Sequence, residues 1–586
     1  MSTLHSVLRR SLPADAYAEL EPDLRRLARR CSPQTGDIWQ LGEDAESSPP
    51  RHLPVEPWGR RVDEIELSAA WRELDRIATE EGLVATGYER RLGDFARAEQ
   101  MVRLFLFHPA SATCTCPLAM SDGAARVLEL HGTTEQRAGA FRHLTSRDPA
   151  DAWTSGQWMT ERTGGSDVSG TSTIARREGD QWRLFGHKWF ASSPSSQVAM
   201  ALARVDGGQG LSLFLVRLRD EQGALQGIRI ERLKDKLGTR ALPTAELTLQ
   251  GAHAELVGEV GHGVRAISSM LSITRAYNAT CAAAGMRYAV DRAREYAGQR
   301  DAFGALLLQL PAHRELLAEL EVEATGAFHL AFHTALLLGR DECGTAREAE
   351  SALLRLLVPM AKLYTGKQAS AVASEVLECF GGAGYIEDTG IPRLLRDAQV
   401  LSIWEGTTNV LSLDILRAFW RSDTDPLGAW LAEVDRWATR AASDPALADG
   451  GRAVRQASRR IVTYARATLD AKDPEGAQAG ARAFAFSLAR TTIGALMLDH
   501  ARWARAEGDP DAAHATEAAR RWCRKDLSPL AGASPEERDE VAVLLGEVDE
   551  SPGAGALPGS GESAEAAAAQ EGGGLAGAEV FPGTGE

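Results

Sequence analysis

The chain has 586 residues, 44% of them apolar and 25% charged, and a formal net charge of −16. That length is too great for one ordinary domain, no apolar run approaches the ~20 residues that cross a bilayer, and the acidic balance argues against nucleic acid as a partner of the whole surface. Seven scattered cysteines without paired ligand spacing point to reduced thiols rather than disulfides or zinc, so no metal is expected; the N-terminus matches neither a signal nor a transit peptide, which makes the cytoplasm the expected address.

In chain order, residues 1–150 read as a helical N-terminal domain. Apolar positions recur at three- and four-residue spacing over 71–82, 94–107 and 123–131, and a proline-rich stretch over 48–57 reads as an extended connection. Over 151–258 the texture changes to short alternating runs parted by Gly, Asp and Pro clusters, the pattern of a small antiparallel β domain. The helical period returns over 259–422, with Leu316, Leu320, Ala324, Ala327 and Ala331 on one face, and predicts a helical bundle. An Asp425-Pro426 break opens an additional helical block over 423–530, striped by Val454, Ala457, Ile461 and Tyr464. Residues 531–586 form an acidic Gly/Ala-rich tail: no Lys or Arg follows Arg538, while ten acidic residues do. So few large apolar side chains cannot offset the entropy of ordering, and the tail is expected to be disordered. The fold class is α+β, mostly α.

Four polar motifs stand at the junctions of these segments. The first, Met159-Thr160-Glu161-Arg162-Thr163-Gly164-Gly165-Ser166-Asp167, is expected at the end of the first strand of the β domain, where adjacent glycines let amides approach a ligand and Thr160 and Ser166 add hydroxyl donors. Taken alone, it reads as an ordinary turn. The second, Gly186-His187-Lys188-Trp189-Phe190-Ala191-Ser192, reads as a hairpin leading into an aromatic strand. The third, Arg300-Asp301-Ala302-Phe303-Gly304, falls where one long helix ends and the next begins, a place from which an arginine can grip a pyrophosphate. The fourth runs from Gly381-Gly382-Ala383-Gly384 to Trp404-Glu405-Gly406-Thr407-Thr408-Asn409, with Glu405 just ahead of an apolar helix whose dipole favours a carboxylate.

In kind and order these four motifs resemble the acyl-CoA dehydrogenase family over residues 60–420, with a sharper likeness to its AidB-type, alkylation-response branch. The resemblance implies an N-terminal helical domain, a central β domain and a C-terminal bundle holding FAD. Met159, Thr160, Gly165, Ser166, Phe190 and Ser192 would then line the flavin, with Trp404, Thr407 and Asn409 completing the site. Arg300, Phe303, Gly381 and Gly382 would meet the adenine dinucleotide end across a subunit interface of a homotetramer. Arg275, Trp404 and Gly406 would bind the substrate. Some relatives carry the base just ahead of that arginine; here the position is Thr274, which leaves Glu405 as the catalytic base for α,β-dehydrogenation of an acyl-CoA thioester. Electron-transferring flavoprotein or another acceptor is the implied redox partner.

The AidB-type likeness also implies a different function, DNA binding through the added helical block. Residues 451–525 hold fourteen Lys and Arg against eight Asp and Glu, and Arg452, Arg455, Arg459 and Arg466 share one helical face. A solvated face with salt bridges explains the same pattern.

Overall fold

The computed structural model describes residues 2–547, apart from 221, 421–423, 471–472 and 531–533. It opens with helices α1 (Ser2–Ser11), α2 (Ala14–Arg30) and α3 (Asp37–Ser47), followed by strands β1 (Arg51–Val55) and β2 (Arg61–Glu66). The stretch predicted as an extended connection therefore supplies one arm of an antiparallel hairpin. Helices α4 (Ala69–Glu80), α5 (Ala96–Phe107) and α6 (Thr115–His131) complete this segment, close to the three periodic runs of the sequence. Ser68 caps α4 by accepting from the Trp71 amide at 3.1 Å.

The β domain has strands β3 (Ser155–Trp158), β4 (Ile174–Glu178), β5 (Gln181–Ser192), β6 (Val198–Val205), β7 (Ser212–Arg217), β8 (Ile228–Leu233) and β9 (Thr244–Val257). Pairing runs from β6 through β4, β5, β9 and β7 back to β6, so the sheet closes on itself and leaves few open edges. Most pairs are antiparallel as predicted, but β3 and β4 both run parallel to β6. The hairpin expected at Gly186 is absent: Gly186 lies inside β5, and the chain reverses earlier, at Gly179. Gly186 has φ +155°, and a Cβ there would meet Thr173 Oγ1 at 2.6 Å, so the motif marks a close approach to the neighbouring strand rather than a turn.

The bundle is α7 (Gly263–Ala297), α8 (Pro311–Glu342), α9 (Glu348–Cys379), α10 (Ile391–Val400) and α11 (Thr408–Trp420). The added block is α12 (Pro426–Ala442), α13 (Ala448–Asp470), α14 (Pro474–Ala506) and α15 (Ala512–Trp522). The Asp-Pro break is a helix start. Asp425 accepts from the Gly428 amide at 2.8 Å with Pro426 in the first turn, and Asp473 with Pro474 repeats the device at α14. Of the predicted stripe, Val454, Ala457 and Ile461 are buried. One continuous apolar core runs through N-terminal helices, bundle and added block, while two smaller clusters fill the two sides of the β domain. No described helix is long and apolar enough to cross a membrane.

The described residues from 536 onward belong to a separate unit. The segment expected to be disordered contains a helix, α16 (Pro535–Leu544), and residues 548–586 lie outside the described residues.

Candidate functional site

The Trp404-Glu405-Gly406 turn links α10 to α11 and packs against the middle of α7. Glu405 has φ +58° and Gly406 φ +104°. The first is a left-handed conformation that costs a non-glycine residue about 1–2 kcal/mol, so its surroundings must hold it. Arg275 of α7 donates Nε to the Glu405 carbonyl at 3.2 Å, and Lys362 of α9 donates Nζ to the Gly406 carbonyl at 2.6 Å. The carboxylate itself is half-buried and accepts from Thr274 Oγ1 at 2.5 Å. Trp404, also half-buried, donates Nε1 to Asn278 at 3.2 Å, and Asn278 in turn donates to the Leu401 carbonyl at 2.9 Å. The backbone, carboxylate and flanking indole of this turn are all fixed from α7 and α9.

Two groups around Glu405 carry perturbed charge. Burial pushes the Lys362 ammonium down to about 7, opposed by Glu405 and reinforced by Arg275. Burial likewise raises the Cys116 thiol to about 12, with Lys236 opposing and Glu405 reinforcing. Lys236 belongs to the β domain, so Cys116 sits where that domain meets the Glu405 turn. Thr239, on the same loop as Lys236, donates its amide to Asp397 of α10 at 2.6 Å and fastens the two parts together.

Arg275 was expected to reach a substrate. Here its guanidinium is engaged inward, by the Glu405 carbonyl and by Asp414 at 3.0 Å. Gly406 lies beside it; a Cβ there would meet Leu411 at 3.0 Å and Arg275 at 3.7 Å.

At the ends of β3 and β5 a second group of predicted residues converges. The Trp189 amide donates to the Thr160 carbonyl at 3.0 Å, and Trp158 Nε1 donates to the Ser192 carbonyl at 3.2 Å, which joins the first two motifs. Met159 packs into the core beneath, whereas Gly165, Ser166 and Phe190 are exposed, Phe190 by 55%. A Cβ on Gly165 would meet Thr160 Oγ1 at 2.4 Å, so the loop lies flat over that hydroxyl. Ser192 Oγ pairs with Thr244 Oγ1 at 3.2 Å. A bare ring beside several hydroxyls and an exposed glycine loop is a donor set that fits a flat heteroaromatic body with acceptors along its edge.

Glu161 and Lys188, quoted in those motifs without a role, hold the loop in shape. Glu161 is 3% exposed and accepts from both the amides and the hydroxyls of Ser172 and Thr173, and from Lys188 Nζ at 2.9 Å. Against burial, Lys188 and the hydroxyls bring Glu161 down to about 2, while burial lowers Lys188 itself.

The third group lies apart. Arg300 and Phe303 follow the end of α7 and Gly381 and Gly382 follow the end of α9; all four are exposed, Phe303 by 98%. Stacking of Tyr296 on Phe380, with centroids 4.6 Å apart, brings those two helix ends together. Thr407 and Asn409 are exposed at the start of α11, with Asn409 accepting from Arg482 at 3.4 Å. In the added block, Arg452, Arg455 and Arg459 line an open groove of about 720 Å3 together with Arg460, whereas Arg466 lies outside it. Arg452 pairs with Asp449 and Arg455 with Asp435; Arg459 and Arg460 have no ion pair among the described residues.

Sequence reasoning missed Thr274, Asn278 and Lys362. Thr274 was noticed only as a position lacking a carboxylate. Lys362 had a signal, being the one charge in the apolar run from Leu356 to Tyr364.

A helical segment, a closed β domain and a helical bundle, with a half-buried carboxylate held in the turn between two bundle helices, place the chain in the class of proteins that set a β domain between helical segments. Comparison with known sequences carries this further. Four family models match in succession: "Adaptive response protein AidB N-terminal domain" over residues 2–148, "Acyl-CoA dehydrogenase, middle domain" over 156–252, "Acyl-CoA dehydrogenase, C-terminal domain" over 261–419 and "Acyl-CoA dehydrogenase 11 C-terminal domain-like" over 426–543. Acyl-CoA dehydrogenase family member 11 of Caenorhabditis elegans is 43% identical over 514 residues, 85% of this chain and 83% of that protein. The putative acyl-CoA dehydrogenase AidB of Escherichia coli K12 is 34% identical over 65% of this chain and 71% of its own length. Among solved structures, C. elegans ACDH-11 in complex with C11-CoA superposes with a TM-score of 0.88 at 41% identity, covering 92% of this chain and 94% of that one. The chain belongs to the acyl-CoA dehydrogenase family.

Proposed function

We propose that this protein is an FAD-dependent dehydrogenase of acyl-CoA thioesters, with Glu405 as the base that takes the proton next to the thioester carbonyl. Members of the family bind FAD. Bound FAD would supply the acceptor for the hydride that leaves the neighbouring carbon. Thr160, Ser166 and Ser192 would hold its polar edge and Phe190 its face, with Gly165 admitting close approach. Thr407 and Asn409 would close the site, and Arg300, Phe303, Gly381 and Gly382 would serve the dinucleotide end in a homotetramer.

The observation that carries this reading is the restraint on one carboxylate. A base acting on a weakly acidic C–H proton must be held in line with it, because misplacement by an ångström loses much of the effect. Thr274 orients one Glu405 oxygen, Arg275 and Lys362 hold the turn that presents it, and Trp404 shields one side from water. Arg275 acts here by fixing the base rather than by gripping the substrate. The acyl group carried by the solved C. elegans relative supports a CoA thioester as the substrate class, and electron-transferring flavoprotein is the expected acceptor. Glu405→Gln tests this: reduction of the flavin by an acyl-CoA should slow on the order of 10² to 10⁴ while the flavin stays bound. Unchanged reduction would overturn the assignment.

A second reading, DNA binding, is favoured by Arg459 and Arg460, which face an open groove without ion-pair partners among the described residues. Arg455→Ala with Arg459→Ala should weaken duplex binding at low salt and flatten its salt dependence. No mobility shift with any duplex at low salt rules it out.

A further inference from the structure

Helices α1, α8, α9, α12 and α14 enclose a cavity of about 250 Å3 that neither the Glu405 turn nor the Thr160 loop lines. One wall is Asp499 of α14, 1% exposed, on which three guanidinium groups converge: Arg10 of α1, Arg440 of α12 at 3.0 Å and Arg502 at 3.8 Å. The facing wall repeats the imbalance. Arg340 pairs with Glu350 at 2.9 Å, Arg436 pairs with Glu433, and Arg347 reaches both carboxylates, at 3.2 and 3.5 Å. Arg10, Arg340, Arg436 and Arg440 thus line the cavity with the three carboxylates, which are more buried than any of these arginines, while Arg347 and Arg502 reach the same carboxylates from outside the lining.

His329 and His333 of α8 also face the cavity. Burial first, and then neighbouring positive groups that include Arg10, hold both imidazoles neutral, His333 at about 3. His333 Nε2 is buried with no hydrogen-bond partner, and its ring stands edge-on to Trp437 at 5.1 Å between centroids. Such an orphaned nitrogen calls for an explanation. Apart from Ser11, the rest of the lining is apolar, chiefly Phe332, Leu336 and Trp437.

We propose that this cavity is a second ligand site that takes a small organic carboxylate, its anionic head toward Arg10 and Arg440 and its short apolar body against Phe332, Leu336 and Trp437. The excess of cations selects the charge, the unpartnered nitrogen supplies a further polar contact, and the aromatic wall selects a body rather than a bare ion. An apolar cavity of about 150 Å3 accepts benzene, so this one has room for a carboxyl group with a short chain or ring and none for a CoA thioester. The ligand would touch the N-terminal helix, the bundle and the added block at once, and so would clamp them together.

Calorimetric titration of the full-length protein with hexanoate, with hexanol and inorganic phosphate as comparisons, tests the site. Hexanoate should bind saturably, about tenfold or more tightly than hexanol, and should raise the unfolding temperature. His333→Phe should weaken hexanoate about tenfold without lowering the stability of the ligand-free protein. Leu336→Trp fills the cavity without touching a charge or the Glu405 turn, and should abolish binding. The proposal is overturned by the absence of saturable heat, by equal affinity for hexanol, by binding of phosphate without hexanoate, or by hexanoate binding that survives Leu336→Trp.

Discussion

At the scale of single residues, Glu405 keeps its left-handed backbone and its carboxylate in place only through its neighbours, Thr274, Arg275 and Lys362. Thr274 matters most after Glu405, since its hydroxyl is the only side-chain donor to that carboxylate among the described residues. A hydrogen bond to a charged group contributes about 1.5–3 kcal/mol, so Thr274→Val should lower the rate of flavin reduction by about tenfold or more and change acyl-CoA affinity little. Thr274→Ser should restore most of the rate. Stopped-flow reduction of the flavin distinguishes the two, and equal rates for Val and Ser would remove Thr274 from the machinery. Glu405 was readable from its own sequence neighbourhood, because a carboxylate between Trp404 and Gly406 ahead of an apolar helix is a local pattern. Thr274 and Asn278 were not, and the lone charge of Lys362 did not reveal its partner, because their part is played across a gap of 44 to 131 positions that only packing closes.

At the scale of elements, the strand ends that form the Thr160 loop are held at Glu161 by a buried ion pair and four hydrogen bonds. Lys188→Met strands Glu161 as a buried unpaired carboxylate, which should cost about 3–5 kcal/mol of stability; thermal unfolding should show the loss, and flavin should leave the variant at lower temperature than it leaves the native protein. A stable variant that keeps its flavin would mean the loop is held some other way. The junction of α15 with α8 carries a pH dependence. Hydrogen bonds to Asp511 and Glu321, set against burial, raise His514 to about 9, from an ordinary value of 6.5. A raised histidine stabilises the fold fully below its unfolded value and loses that contribution as pH climbs through the folded one. Native protein should therefore lose roughly 1 kcal/mol between about pH 6.5 and 9, the figure being reduced by solvent screening at a side chain one-third exposed. His514→Gln should lack that slope in denaturant titrations across the same range. The elements themselves were legible where period was strong: three of the four stripe residues of α13 are buried, and the Asp425-Pro426 break is a helix cap. Gly186 misled because a glycine inside a strand and a glycine in a turn look alike until Thr173 is seen against it.

At the scale of the whole molecule, the order of helical, β and helical segments was legible from texture alone. What texture did not reveal is that the β domain closes on itself through the parallel pairing of β4 with β6, since strand direction leaves no trace in alternation. The exposed Arg300, Phe303, Gly381 and Gly382 belong at this scale too. If they face a second copy, light scattering should give the mass of four chains, and Phe303→Asp should shift it downward while releasing flavin; a native monomer that holds flavin would remove these four from the site. For the proposed proton removal by Glu405, the decisive experiment is an oxygen-free titration of the flavin-loaded protein with a series of saturated acyl-CoA thioesters. Bleaching of the oxidised flavin band by at least one chain length, lost in Glu405→Gln, is the predicted result; a flavin that stays oxidised with every chain length contradicts the account.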